Sequence, residues 1–207
     1  AHRDELTFVS HTVRGRQAAR VSLRDDETVV MLVCRAEFIP TARLGRADPR
    51  PALRRAYGDM GWEVPELLDA MDGCEDVYCD RVSQIHLSHW SAGRVALVGD
   101  AAACPSLLAG EGTGLAMLEA YVLAGEIDRA GGDRVRALAA YERRLRRLVS
   151  AKQKGAPWFR GFFAPLTTLG LKARNLAVRA FSRPWLGKPF WKRSLRDDFA
   201  VPDYRMR

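Results

Sequence analysis

A chain of 207 residues, 47% hydrophobic and 28% charged, holds enough apolar side chains for a packed core, which excludes a disordered polymer and allows one or two domains. No apolar run approaches the ~18–20 residues that a membrane-spanning helix needs. A formal net charge of +8 raises nucleic acid or an anionic membrane surface as partners.

The segments LTFVSHTV, AARVSLR and TVVMLVCRA are rich in β-branched residues and are separated by VRGRQ and DDE, which predicts a short antiparallel meander. RADPRPALRRAYGDMGWEVPELLDAM reads as two short helices, with Pro49 and Pro51 near the first start and Pro65 at the second. VYCDRVSQIHL is predicted as a further strand. RVALVGD is short, apolar on both faces and ends in Gly-Asp, as expected of a fully buried strand of an α/β sheet whose C-terminal end faces a ligand. In GLAMLEAYVLAGEIDRA the apolar residues Leu115, Leu118, Val122, Leu123 and Ile127 recur at helical spacing, and Gly131-Gly132 stops the run. A second helix follows Asp133, a good N-cap, through RVRALAAYERRLRRLVSAKQK.

The positive charge is unevenly placed. Arg134 to Arg196 carry 17 Lys and Arg against a single acid, Glu142, interrupted by PWFRGFFAPLTTLGL and RPWLGKPFWKR. One reading is a face for an anionic membrane or for nucleic acid. The other is a set of C-terminal helices packed on the rest of the protein with a solvated basic side. Gly and Pro interrupt the segment too often for one clean amphipathic helix, which favours the second reading.

Four cysteines, Cys34, Cys74, Cys79 and Cys104, are expected as reduced thiols in a cytoplasmic chain without an export signal. Cys74 and Cys79 lack His or further Cys neighbours at zinc-ligand spacing, so no metal is expected. His2, His11, His86 and His89 are scattered and read as surface or packing imidazoles.

The chemistry concentrates in GRVALVGDAAACPSLLAGEGTG, residues 93 to 114. A short apolar strand delivers Gly99 and Asp100 to a sheet edge, where a carboxylate can accept hydrogen bonds from sugar or ribityl hydroxyls. Gly110, Gly112 and Gly114 remove side chains where backbone must approach a ligand closely, and the following helix offers unpaired N–H groups and a positive dipole end. An anionic, hydroxyl-bearing cofactor suits that combination. GEGTG lacks the Lys-Ser/Thr of a phosphate-binding P-loop, and a tight strand-loop-helix turn with no ligand is the alternative for the glycines alone.

GRVALVGDAA, a loop of about ten residues, GxG and a helix ending AYVLAGEI together resemble the second FAD-binding motif of the single-component aromatic monooxygenases, the para-hydroxybenzoate hydroxylase type. Within that family the nearer resemblance is to the tetracycline-inactivating and polyketide-hydroxylating branch, with GWEVPELLDAM, DRVSQIHLSHWSAG and the closing VPDY also similar.

The resemblance implies an α/β fold, an α+β fragment in which residues 1–90 are part of a substrate domain with antiparallel strands. Residues 91–155 would be the C-terminal part of a Rossmann-type FAD-binding domain, and 156–207 a basic, aromatic-rich helical segment. Asp100 would hydrogen-bond the FAD ribityl chain, with Gly99, Gly110 and Glu111 in the same cofactor-binding loop. Gly112, Thr113 and Gly114 would present backbone N–H groups to the pyrimidine edge of the flavin, where a helix N-terminus stabilises the negative charge of the reduced ring. Leu107, Leu108 and Ala109 would line the substrate pocket. In such enzymes NAD(P)H reduces FAD, oxygen adds to give a hydroperoxyflavin, and one oxygen passes to an aromatic or polyketide ring, so no protein nucleophile or general base is nominated. A flavin halogenase or reductase of the same fold, or a non-enzymatic basic module, are the alternatives.

The chain departs from the family pattern at Ala103, where a histidine is common, and at Ser106-Leu107, where Pro-Pro is usual. The family's N-terminal GxGxxG and middle DG motifs are absent before residue 93. The chain, which starts at Ala1, therefore reads as the C-terminal half of a monooxygenase that acts with an N-terminal FAD-binding half. Nucleic acid is not expected as a partner, whereas the basic C-terminal segment could meet a membrane surface.

Overall fold

The computed structural model of the chain describes residues 7–24, 27–39, 48–183 and 199–204, the side chains of 156–158 excepted. The chain mixes helix and sheet and divides into two compact units, Ala1–Arg81 with Arg160–Gly187 and Val82–Phe159 with Lys188–Arg207. No helix among the described residues is long and apolar enough to cross a membrane.

In the first unit the predicted meander forms: β1 (Phe8–Val13), β2 (Arg16–Ser22) and β3 (Thr28–Cys34) pair antiparallel in that order. The β1–β2 register closes at Val13 opposite Arg16, leaving Arg14-Gly15 as a two-residue turn. Gly15 takes φ 72, as such hairpin turns require, and a Cβ there would stand 2.6 Å from Phe38 Cε2. β2 therefore starts two residues earlier than the apolar pattern suggests, and Arg16 joins the sheet to bind Asp59 (Nη2 to Oδ2 2.9 Å). The helices α1 (Arg50–Tyr57) and α2 (Val64–Ala70) each carry a proline in the first turn, where its missing N–H costs nothing. Leu53, Ala56, Tyr57, Val64 and Leu68 from these helices pack with Ala18 of β2 into one core.

The second unit is helical. Its elements are β4 (Ser91–Ala92), β5 (Val95–Ala96), α3 (Asp100–Ala103), α4 (Gly112–Arg129) and most of α5 (Arg134–Phe163). Its core gathers Trp90, Ala102, Ala103, Val122, Tyr141, Leu145, Val149 and Tyr204. Trp90 and Tyr141 meet with ring centroids 5.8 Å apart, and the Tyr141 hydroxyl donates to Leu97 O at 3.0 Å. The closing VPDY docks on α4: Tyr121 Oη donates to Pro202 O (3.0 Å), Arg129 Nη2 to Asp203 O (2.9 Å), and Tyr204 Oη to Glu126 Oε1 (2.6 Å).

Several expectations are corrected. RVALVGD is not a buried strand: only Val95–Ala96 pair, with Ser91–Ala92, and Val95 is 64% exposed. A strand of the predicted kind needs ladder neighbours on both sides, and among the described residues only the two-residue β4 pairs with it, so no Rossmann-type sheet is seen there. VYCDRVSQIHL likewise forms no strand. The inward face of α4 is Leu115, Glu119, Val122, Gly125 and Glu126, with Ile127 exposed, because two acids find partners inside.

The α5 helix runs unbroken through Gly155, Pro157 and Gly161, with the break falling at Ala164-Pro165 before α6 (Thr168–Phe181). Tertiary packing here overrides helix propensity. Three of the cations on α5 are structural: Arg144 pairs with Glu126, Arg146 with Glu142, and Lys152 with Glu111. Most of RPWLGKPFWKR lies outside the described residues.

Candidate functional site

The site sequence reasoning selects lies within the second unit, where α3 and α4 begin. Gly99 takes φ 66 and ψ −144, a conformation open to glycine and closed to most L residues. It reverses the chain so that Asp100 opens α3, with Ala102 N and Ala103 N donating to Gly99 O at 3.0 and 3.1 Å. The Asp100 side chain is exposed. Its Oδ1 lies 3.5 Å from the point where a Cβ on Gly112 would stand, so the first residue of α3 and the first of α4 are brought side by side.

The loop between them is tightly tied. Cys104 O accepts from Ile85 N (3.2 Å) and Pro105 O from Gln84 Nε2 (2.7 Å). The buried Gln153 on α5 donates from Nε2 to Ile85 O (2.7 Å) and Cys104 O (3.5 Å). Ser106 follows with φ 126, and its Oγ accepts from Leu108 N at 3.3 Å. Ser106 thus takes a glycine-like conformation, which a fixed proline φ could not adopt.

Leu107–Ala109 form one 3₁₀ turn, closed by Gly110 in the left-handed region at φ 68. Leu107 projects into solvent at 69% exposure, while Leu108 and Ala109 are half-buried.

Glu111 precedes α4 but makes no side-chain cap; its Oε1 instead accepts from Lys152 Nζ at 2.7 Å. The N–H groups of Gly112, Thr113 and Gly114 therefore open the helix without a side-chain cap, at the positive end of an 18-residue dipole. A Cβ at Gly110 or Gly114 would meet nothing within 4 Å, so open space lies over both glycines.

Behind this surface sits a carboxylate that sequence reasoning missed. Glu119 is 1% exposed and accepts from Gly99 N–H. Burial pushes its carboxyl above the ordinary value, the Gly99 N–H opposes that, and the charge of Asp100 adds to it. The signal was present as an acid on the stripe Leu115, Glu119, Val122, Glu126, spaced four, three and four. Burial likewise raises the Cys104 thiol, with Asp100 beside it.

Among the described residues no three His, Cys, Asp or Glu side chains are placed to hold a metal. A groove of about 480 Å³ in the first unit, lined by Val13, Arg14, Phe38 and Leu166 among others, contains none of the predicted site residues.

No protein-family model matches the chain. Over 111 residues it is 44% identical to a flavin-dependent monooxygenase of Legionella longbeachae, a stretch that is 54% of this chain and 28% of that protein. Over 123 residues it is 38% identical to the FAD-dependent monooxygenase asL6 of Sarocladium schorii, covering 59% of this chain and 29% of that one. The solved structure of tetracycline destructase Tet(51) matches 96% of this chain and 51% of its own length, with a TM-score of 0.74 at 27% identity. Tetracycline destructase Tet(55) matches with 0.72 at 28% identity, over 95% and 50%. The chain thus matches under a third of the length of these two curated relatives and about half of the two solved structures. The resemblance drawn from the GD and GEGTG region is borne out by these names.

Proposed function

We propose, for a chain similar in sequence and fold to flavin-dependent monooxygenases, that it supplies the flavin-facing part of an FAD-dependent monooxygenase site, completed by polypeptide outside this chain. The observation that carries the reading is the meeting of Asp100 Oδ1 with the uncapped start of α4 at Gly112, under open space at Gly110 and Gly114. An elongated group with hydroxyls at one end and negative charge at the other fits that surface.

In this reading Asp100 accepts hydrogen bonds from the ribityl hydroxyls. Gly112, Thr113 and Gly114 direct backbone N–H groups at the pyrimidine edge, where the helix dipole favours negative charge. Gly99 holds the turn that presents Asp100, Gly110 allows the backbone reversal before α4, and Glu111 ties that loop to Lys152 on α5. FAD supplies the redox chemistry that takes electrons from NAD(P)H and transfers an oxygen atom from O2. Leu107, Leu108 and Ala109 offer apolar surface to an aromatic or polyketide-like substrate and keep water from the reacting edge.

The test is a chimera in which this chain replaces the matching stretch of the Legionella relative. The purified chimera should carry about one FAD per chain, and Asp100→Ala should lose it, read by absorbance near the flavin bands. A colourless chimera with Asp100 intact and a native far-ultraviolet spectrum overturns the reading.

A further inference from the structure

Behind the site described above lies a buried carboxyl that the flavin reading does not use. Glu119 lies in the middle of α4, 1% exposed, where an apolar side chain would pack at less cost. Its recorded partner is the N–H of Gly99, the residue whose φ of 66 sets the direction of Asp100.

Gly112, Ala116 and Glu119 fall at i, i+4 and i+7 of α4, a single stripe along the helix. The Gly99-Asp100 turn lies along that stripe. A Cβ on Gly99 would stand 3.3 Å from Ala116 Cβ, the Gly99 N–H reaches Glu119, and the Asp100 carboxylate reaches the level of Gly112. The turn is therefore held at its Gly99 end by α4 and projects at its Asp100 end toward the start of the same helix. The titratable groups facing Glu119 are Asp100 from α3 and Tyr141 from α5.

We propose that Glu119 is a positioning residue of the flavin site: by accepting the Gly99 N–H it fixes the turn that delivers Asp100 to the α4 N-terminus, and so sets cofactor affinity through Asp100. The inference rests on the flavin reading above. A hydrogen bond to a charged acceptor is the stronger kind, and it acts here on a backbone conformation that otherwise relaxes. Glutamine can still accept at this position; leucine fills a similar volume and cannot.

The experiment measures FAD affinity of the chimera, by flavin fluorescence, for wild type, E119Q, E119L, D100N and the D100N/E119L double variant. E119L is expected to raise the FAD dissociation constant at least tenfold and E119Q less than threefold. In the D100N background E119L is expected to add less than twofold, because its effect passes through Asp100. If the two changes multiply fully, or if E119L binds as wild type while D100N weakens binding, the positioning role is wrong and the flavin reading stands. A wild-type chimera without FAD removes both.

Should E119L fail to fold, the Gly99 amide resonance of the 207-residue chain decides. In the wild type it should show a step as acid protonates Glu119, above the pH range of an ordinary carboxylate, and in E119Q that step should be missing while the titration of the neighbouring Asp100 remains. An amide that titrates identically in both overturns the proposal.

Discussion

The ring of Tyr204 lies against the backbone of Gly125, so closely that a Cβ built there would overlap Cγ, Cδ1 and Cδ2 of the ring. Gly125 is in the middle of α4, where glycine costs helix stability of up to ~1 kcal/mol relative to alanine. The sign of a Gly125→Ala change therefore depends on the ring. In the wild type it should destabilise by ~1–3 kcal/mol through overpacking. With Tyr204→Ala already present it should stabilise. Urea unfolding of the four proteins reads both signs, and the same sign in both backgrounds would show that the ring does not rest on Gly125.

Tyr204 also gives an alkaline limit. Burial, then its hydrogen bond to Glu126 and that carboxylate's charge, push its hydroxyl up to about 12. An unfolded tyrosine ionises near ~10. Because the folded value is the higher one, the stabilisation is complete below ~10 and is lost as pH rises toward about 12, at ~1.4 kcal/mol per pH unit. Tyr204→Phe should flatten the fall in melting temperature between pH 10 and 12 without abolishing it, since burial also raises Tyr141. An unchanged slope would place the hydroxyl outside the linkage.

Ser106 separates strain from hydrogen bonding. Both Ser106→Ala and Ser106→Gly remove the acceptor for Leu108 N, but only glycine accepts φ 126 without strain. Glycine should be the more stable of the two by ~1 kcal/mol. If alanine matches glycine in thermal unfolding, the backbone at 106 relaxes at no cost.

Gln153 holds the chain on both sides of α3 through two carbonyls, Ile85 O before the helix and Cys104 O just after it. Gln153→Leu leaves Ile85 O without its donor and should cost ~1–3 kcal/mol. Gln153→Glu should be worse at pH 7, where an acceptor faces acceptors, and should recover at pH 4 once the carboxyl can donate. Melting curves at the two pH values test this, and a pH-independent Gln153→Glu would dissociate the side chain from those carbonyls.

The elements that declared themselves in the sequence are those whose signals are local. Gly15 between two β-branched runs, Pro51 and Pro65 in first turns, Asp133 capping α5 through Arg136 N at 3.0 Å, and Gly131-Gly132 ending α4 each act within a few residues. What stayed hidden depends on partners far along the chain. Glu119 and Glu126 look like solvent-facing acids until Gly99, Arg144 and Tyr204 are brought to them. RVALVGD reads as a buried strand from its apolar content, yet a strand exists only where neighbours hydrogen-bond to it. Within the site, Asp100 and Gly112 could be paired from motif order, whereas Gln153 and Lys152 on α5 carry no motif and emerge only once the helix meets the folded loop.

The inward stripe of α4, made of Leu115, Glu119, Val122, Gly125 and Glu126, inverts the usual rule of mutational tolerance. At most buried helix positions another hydrophobic residue is the safest replacement. Here three of the five positions should reject every hydrophobic residue. Two would lose a carboxylate that other groups bond to, and the third has no room for a side chain. A helix redesigned for greater internal hydrophobicity would score as an improvement by composition and fold as a poorer protein.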